Sequence, residues 1–490
     1  MKACMILQRR FAYVGNEIAS LLKERGVSEF CGFVSTRESY NFLRNQKEII
    51  YTSLLLDEDG HEAYHTEELD LEFLKEFEEE YGIPNLWPYI ENDRVVRYGQ
   101  LLREYPYNTP PYTHEEMLRM LQAAAKKVIA FLEIEKPDCI IYTVVGGITG
   151  MLLYTIAKKK GIQTLVIHPA RIGIKQVVSE DYSMFPPTKV NAEEKYREEA
   201  LEFLRVFRSN PTSFSILETL EVKSPNRIRN FRFLAPRSIL PSLQWQWRLW
   251  VNYFFRENKT DYSTIAPWNL LRDKVMRKMR ILIGYDDLYS PIVPGEPYAF
   301  FPLQLEPEIT TTLYSPIYND YLWVAKQIAK SLPVGHKLYV KEHLAMFGFR
   351  TRAFYKELKK IPNVKLINPN VKSFPITLGA KLVAVVTSTV GWEAIALKKP
   401  VITFGDVFYN ALPFVKKCDS IKDLPSLIKE QLDEFEHDEN ALVDFIASIN
   451  KESVEVDLAD IWEKEHSARA HERRAELAPL ADLIVSKVQL

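Results

Sequence analysis

The sequence predicts an α/β protein made of two parallel-sheet domains, and three observations predict it. The chain has 490 residues, too many for one ordinary domain and suited to two that each bury a full core. From Tyr298 to Phe404, short apolar runs rich in β-branched residues alternate with helical patterns, the rhythm of a parallel sheet with crossover helices. A second strand, glycine turn, helix, strand pattern lies between Cys139 and Ile167. The expected division is 1–190 for the first Rossmann-like domain, 191–297 for a helical, irregular insert and linker, 298–450 for the second Rossmann-like domain, and 451–490 for C-terminal helices.

Composition narrows the class. Hydrophobic residues make up 47% and charged residues 26%, values of a water-soluble globular chain. A net charge of -2 argues against a general nucleic-acid binder. Cys4, Cys31, Cys139 and Cys418 show no metal or disulfide spacing, which fits a reducing cytoplasm. The apolar start, Met1 to Leu7, is too short for a signal peptide and reads as a strand. The uncharged run Cys139–Ala157 has membrane-spanning length, but Gly146, Gly147 and Gly150 divide it into strand, turn and helix.

In the first domain, the strand Ala3–Leu7 leads through Gly15-Asn16 to a helix from Glu17 to Arg25. Gly26 closes that helix, and Phe30–Val34 is the second strand. Glu67–Tyr81 is a solvated acidic helix, and Asp57-Glu58-Asp59 reads as a loop. Thr113 with Glu116 forms a capping box that opens a helix through Leu132. Strand Cys139–Val145, helix Met151–Lys160 and strand Thr164–Ile167 follow. His168 at the end of that strand is either a structural histidine or a site residue. Glu180 and Asp181 are candidate general bases, with a turn cap as the alternative.

The insert departs from this rhythm. Between Val222 and Arg256 there is no acidic residue, and seven Lys and Arg alternate with aromatic rings. The stretch 223–256 therefore predicts peripheral contact with an anionic membrane or a lipid-linked acidic glycan, with interdomain packing as the competing reading.

The second domain carries the chemistry. Its predicted strands are Tyr298–Pro302, Lys337–Val340, Val364–Ile367, Val383–Val386 and Val401–Phe404. In an open parallel sheet, ligands bind beyond the carboxyl ends of the strands, near the point where strand order reverses. Gln304, Glu306, Lys341, His343, Ser388, Thr389 and Asp406 all follow strand ends. Thr387-Ser388-Thr389 can cap the helix Val390–Leu397, whose amides and dipole attract a phosphate. Gly391 is expected to let that phosphate approach, and Glu393 to reach a ribose or sugar hydroxyl. Arg350 and Arg352 are candidate partners for a sugar carboxylate, with exposed helix surface as the alternative.

The phrases FFPLQLEPE, LYVKEH, GFRTRAFYKEL, VVTSTVGWEA and KPVITFG, in this order, resemble the capsule polysaccharide biosynthesis family. The resemblance covers Tyr298–Tyr409, with a weaker echo over Asp138–Tyr182. It implies a GT-B-like fold, two Rossmann-like domains facing across a cleft, related to the capsular Kdo transferases. Leu344 departs from the proline that many members carry after the histidine, which loosens the identity of the donor. The resemblance implies a glycosyltransferase with a nucleotide-sugar donor such as CMP-Kdo as substrate and no separate cofactor. The lack of HExxH or of an Asp-x-Asp segment in strand context predicts no bound metal, and cysteine usage with the 223–256 stretch predicts a cytoplasmic protein peripheral on the inner membrane face. The acceptor is a glycan or glycolipid. His343 then acts on the leaving phosphate beside Lys341, Ser388 and Thr389, while Gln304 or Glu306 holds hydroxyls. A UDP-sugar 2-epimerase and a non-catalytic glycan or nucleotide-binding partner are the alternatives.

Overall fold

The computed structural model describes residues 1–98, 112–183, 193–211, 236–255, 266–464 and 470–488. It divides into two compact units, one built on Met1–Val96, Tyr112–Phe203 and Val443–Leu490, the other on Leu204–Leu442. The insert helices Pro236–Phe255 and Pro267–Ile283 therefore group with the second unit, the helix Glu194–Ser209 is divided at Phe203/Leu204, and the C-terminal segment groups with the first. Lys223, Arg227, Arg229 and Arg232 of the basic, aromatic stretch lie outside the described residues.

Unit 1 contains strands β1 (Lys2–Leu7), β2 (Glu29–Val34), β3 (Tyr51–Leu56), β4 (Cys139–Tyr142), β5 (Gln163–Pro169) and β6 (Lys175–Ser179). With the C-terminal strand Ser453–Glu455 they form one seven-stranded sheet, in the order C-terminal strand, β6, β5, β4, β1, β2, β3. The strands from β1 to β5 pair in parallel. β6 runs antiparallel to β5, because Ala170–Ile174 is a tight turn with Arg171 and Gly173 at positive φ rather than a crossover.

Helix α1 (Phe11–Glu24) starts earlier than the glycine predicted. Gly15 lies inside it because a Cβ there would sit 2.5 Å from Leu7 Cδ2, so the glycine allows close helix-on-strand packing. Helix α2 (His114–Glu135) opens with the predicted Thr113–Glu116 capping box. Helix α3 (Gly147–Lys159) begins within the glycine turn, with Gly147 at φ +73°. Leu480 and Ile484 of the C-terminal helix join Met5, Ile18 and Leu22 in the core of this unit. Arg474 ties the same segment to Glu17 at 2.5 Å.

Unit 2 contains helices α4 (Pro236–Phe255) and α5 (Pro267–Ile283), then strand β7 (Tyr298–Pro302), helix α6 (Tyr321–Ser331) and β8 (Lys337–Lys341). Helix α7 (Arg352–Lys359), β9 (Val364–Ile367), β10 (Leu382–Val385), α8 (Thr389–Ala396), β11 (Val401–Thr403) and β12 (Lys416–Lys417) follow. The all-parallel sheet has the order β12, β11, β10, β7, β8, β9. β8 and β9 continue outward on one side of β7, and β10 to β12 on the other. Strand order thus reverses between β7 and β10, the place where α/β sheets bind ligands. Phe301, Val340, Val324, Ile328 and Leu358 fill the core on one face of the sheet. Among the described residues, no helix is long and apolar enough to cross a membrane.

Candidate functional site

The carboxyl edge of the unit 2 sheet brings the predicted strand-end residues onto one rim. β10, β7 and β8 are neighbours, so Ser388, Gln304 and His343 follow three adjacent strands. Two strand spacings, roughly 10 Å, separate the outer two.

Gln304 fixes the centre of that rim. Its Oε1 accepts the Thr387 N–H at 2.9 Å, and its Nε2 donates to Thr387 Oγ1 at 3.0 Å. The side chain is buried and both ends of its amide are used, so Gln304 positions the β10–α8 loop instead of holding a substrate hydroxyl. That loop presents Ser388 and Thr389, both half-buried, at the start of α8. Ser388 Oγ accepts from Val390 N at 3.2 Å as the predicted cap, and the Tyr409 hydroxyl donates to the Ser388 carbonyl at 2.7 Å.

His343 is half-buried just after β8. Its Nδ1 accepts the Ala345 N–H at 3.2 Å, which places the proton of the neutral ring on Nε2 and makes that nitrogen a donor. Lys341 is buried at the end of β8 and donates to Ser373 Oγ at 3.2 Å.

Several expectations are corrected. Glu306 is 4% exposed and accepts from Arg350 Nε at 3.2 Å, so it does not reach for hydroxyls. Arg350, at 0% exposure, also bonds Glu342 and the Gln304 carbonyl at 3.0 Å; it is a buried structural cation, neither a sugar ligand nor exposed surface. Tyr355 donates to Glu342 at 2.7 Å. One guanidinium thus serves two buried carboxylates. Burial, opposed by Arg350 and reinforced by Glu342, pushes Glu306 up to about 7. Arg352 is engaged with Asp287 at 2.9 Å.

Glu393, at 2% exposure, is buried in α8 and not on a sugar-facing surface. Gly391 makes room for protein rather than phosphate, since a Cβ would lie 2.5 Å from the Tyr409 hydroxyl and 2.9 Å from Val385 Cγ2. Asp406 is paired with Lys417 at 2.7 Å.

In unit 1, Glu180 and Asp181 do not lie at the carboxyl edge. β6 is antiparallel, so they fall beside the start of β5, where Gln163 Nε2 donates to Glu180 Oε1 at 2.9 Å. Asp181 accepts from Ser183 N at 2.7 Å, the turn-cap alternative. His168 Nε2 meets the Asp181 carbonyl at 3.0 Å, and burial lowers the ring to about 4, so it is a neutral structural histidine.

The carboxyl edge of this sheet instead carries a group that sequence reasoning missed. Its order reverses between β1 and β4, where Gln8 Nε2 donates to the Gly146 carbonyl at 3.4 Å. Thr149 Oγ1 donates to Asp57 Oδ1 at 2.6 Å, and His61 Nε2 lies 3.4 Å from Asp57 Oδ2. Asp93 Oδ2 would be 3.5 Å from a Cβ on Gly147. Burial raises the Asp93 pKa, with the Asp57 charge adding to the shift. Asp57 directly follows β3, whose sequence YTSLLL is polar at its start and half-exposed, so the strand end does not announce itself as a buried apolar run. Among the described residues, no three His, Cys, Asp or Glu side chains gather as metal ligands.

Residues 290–414 match the family model described as capsule polysaccharide biosynthesis protein. Protein FixF of Sinorhizobium fredii is 33% identical over 126 residues, which is 25% of this chain; the match spans 30% of that relative's length. Among solved structures, the beta Kdo 2,7 transferase of Thermosulfurimonas dismutans KpsC is similar with a TM-score of 0.36 and 13% identity, over 72% of this chain and 89% of that one. The UDP-GlcNAc 2-epimerase of Methanocaldococcus jannaschii gives 0.25 and 13%, over 92% and 99%. Through residues 290–414 the chain carries the sequence pattern of the capsule polysaccharide biosynthesis family, as its strand-end motifs predicted.

Proposed function

We propose that the protein is a glycosyltransferase of surface or capsular polysaccharide assembly, with a nucleotide-sugar donor held by unit 2. One arrangement supports this reading most: at the β7/β10 switch point, Gln304 sets the loop that offers Ser388, Thr389 and the first amides of α8, two strand spacings from the His343 side. In transfer, the bond from the anomeric carbon to the nucleotide phosphate breaks and charge collects on the phosphate. The hydroxyls, the α8 amides, His343 Nε2–H and Lys341 are suited to receive that charge. The acceptor oxygen bonds to the anomeric carbon and gives up its proton.

Within unit 1, Glu180 and Asp181 are engaged by Gln163 and Ser183, and the Asp57 and His61 pair is the acid–base candidate of that unit. The finer reading of the donor, a CMP-linked acidic sugar such as Kdo, rests on the family resemblance. Within the site, Arg350 and Arg352 are committed to protein carboxylates.

A thermal-shift screen of CMP, CDP, UDP and GDP tests the reading, because a nucleotide bound to the folded chain raises its melting temperature. One of the four is expected to stabilise the wild type. No shift with any of them, or conversion of UDP-GlcNAc to its epimer without an acceptor, overturns it.

A further inference from the structure

The helices before the second sheet are built inside out. On α5, Trp268, Leu271, Val275, Met279, Leu282 and Ile283 recur at helical spacing along one stripe, and all are exposed, Ile283 to 66%. The opposite face is polar and buried: Asp273 and Arg280 are inside, and Arg280 donates to the Phe349 carbonyl at 2.7 Å. α4 shows a matching stripe, with Leu240, Leu243, Trp247 and Phe254 exposed, Trp247 to 71%. The two helices are joined by Trp268 against Trp250 and Tyr253, at ring separations of 6.0 and 5.3 Å, and by Gln246 donating to the Pro267 carbonyl.

An outward apolar surface of this kind normally marks an interaction site. Its charge selects the occupant. Arg280 is buried and Arg277 pairs with Asp273, the single acid of the two helices, which leaves Arg248, Arg272, Lys274 and Lys278 as the cations nearer the surface. Burial and repulsion from Arg277 lower the pKa of both Lys274 and Lys278. A second copy would set this cationic face against itself. Exposed tryptophans with flanking cations match the boundary of an anionic lipid layer. Neither helix is long and apolar enough to cross a membrane.

We infer that α4 and α5 together form a docking surface that lies in the headgroup region of an anionic bilayer, inserting the apolar stripes and pairing its cations with lipid phosphates. The surface reaches beyond the basic, aromatic stretch singled out in the sequence, because α5 contributes the longer stripe. It does not depend on the transferase reading, and its test uses no nucleotide.

The full chain is expected to float with vesicles of phosphatidylcholine mixed with phosphatidylglycerol, to stay behind with pure phosphatidylcholine, and to release as salt rises. Replacing Trp247, Phe254, Leu271 and Met279 together by Ser should weaken binding by at least about tenfold. The charge variant Lys274→Glu with Lys278→Glu should do the same without touching the stripes. Far-UV circular dichroism checks that each variant is folded. No flotation, equal flotation on both vesicle types, or wild-type binding by the folded variants overturns the inference. So does a dimer in light scattering that the Ser substitutions dissolve while the wild type ignores vesicles, which assigns the surface to a second copy.

Discussion

A methyl group added at Gly391 would collide with the Tyr409 hydroxyl, itself bonded to the Ser388 carbonyl. Gly391→Ala should therefore cost about 1–3 kcal/mol in urea unfolding, and Tyr409→Phe in the same chain should recover part of it by removing the oxygen. Were the glycine there for a phosphate, the substitution would weaken nucleotide binding and leave stability unchanged. His343 is a different case, since its ring is half-buried with Nε2 as a donor. His343→Ala is expected to slow transfer by about 100-fold or more while nucleotide affinity changes by less than about tenfold. Both residues were legible as strand-end or helix-start positions. Position alone does not say what a glycine makes room for, because that depends on residues that fold against it, here Tyr409 and Val385. Arg350 shows the same limit: its partners Glu306 and Glu342 are 44 and 8 residues away, and nothing in its local pattern announces full burial.

At the level of elements, both sheets use a glutamine shortly after their first strand to hold the loop that follows the strand across the switch point. Gln8 reaches Gly146 in unit 1 and Gln304 reaches Thr387 in unit 2. The second contact is the tighter, since it satisfies a backbone N–H. Gln304→Ala leaves that donor without its partner, at a cost of about 1–3 kcal/mol. It should also shrink the nucleotide-induced rise in melting temperature; a full rise would show that the loop holds its shape without the glutamine. Strand and helix alternation was readable here because buried parallel strands are continuous apolar runs. The antiparallel turn into β6 was not, and with it went the placement of Glu180 and Asp181.

For the molecule as a whole, the buried pair of carboxylates around Arg350 gives folding a pH dependence. The Glu306 carboxyl holds its proton to about pH 7 when folded, against an ordinary value of 4.5. Between those values the folded state binds more protons, so stability falls as pH rises through this window and is level, for this group, on either side. Urea unfolding at about pH 5 and about pH 8 should show that decline in the wild type and a smaller one in Glu306→Gln. An unchanged slope would mean that Arg350 keeps Glu306 ionised throughout.

The amino-acid sequence by itself determined the α/β class, the second domain's strands and the location of the rim that carries Gln304, His343 and Ser388, because periodicity and helix caps are local properties of the chain. Tertiary structure alone decided which rim residues face outward and which are struts: Glu306, Glu393 and Arg350 are interior, while His343, Ser388 and Thr389 remain accessible. It also decided that α5 turns its apolar stripe to the surface. The reason is physical: burial and partnership are set by contacts between residues far apart in the chain, and amphipathic spacing shows that a face exists without showing what it meets.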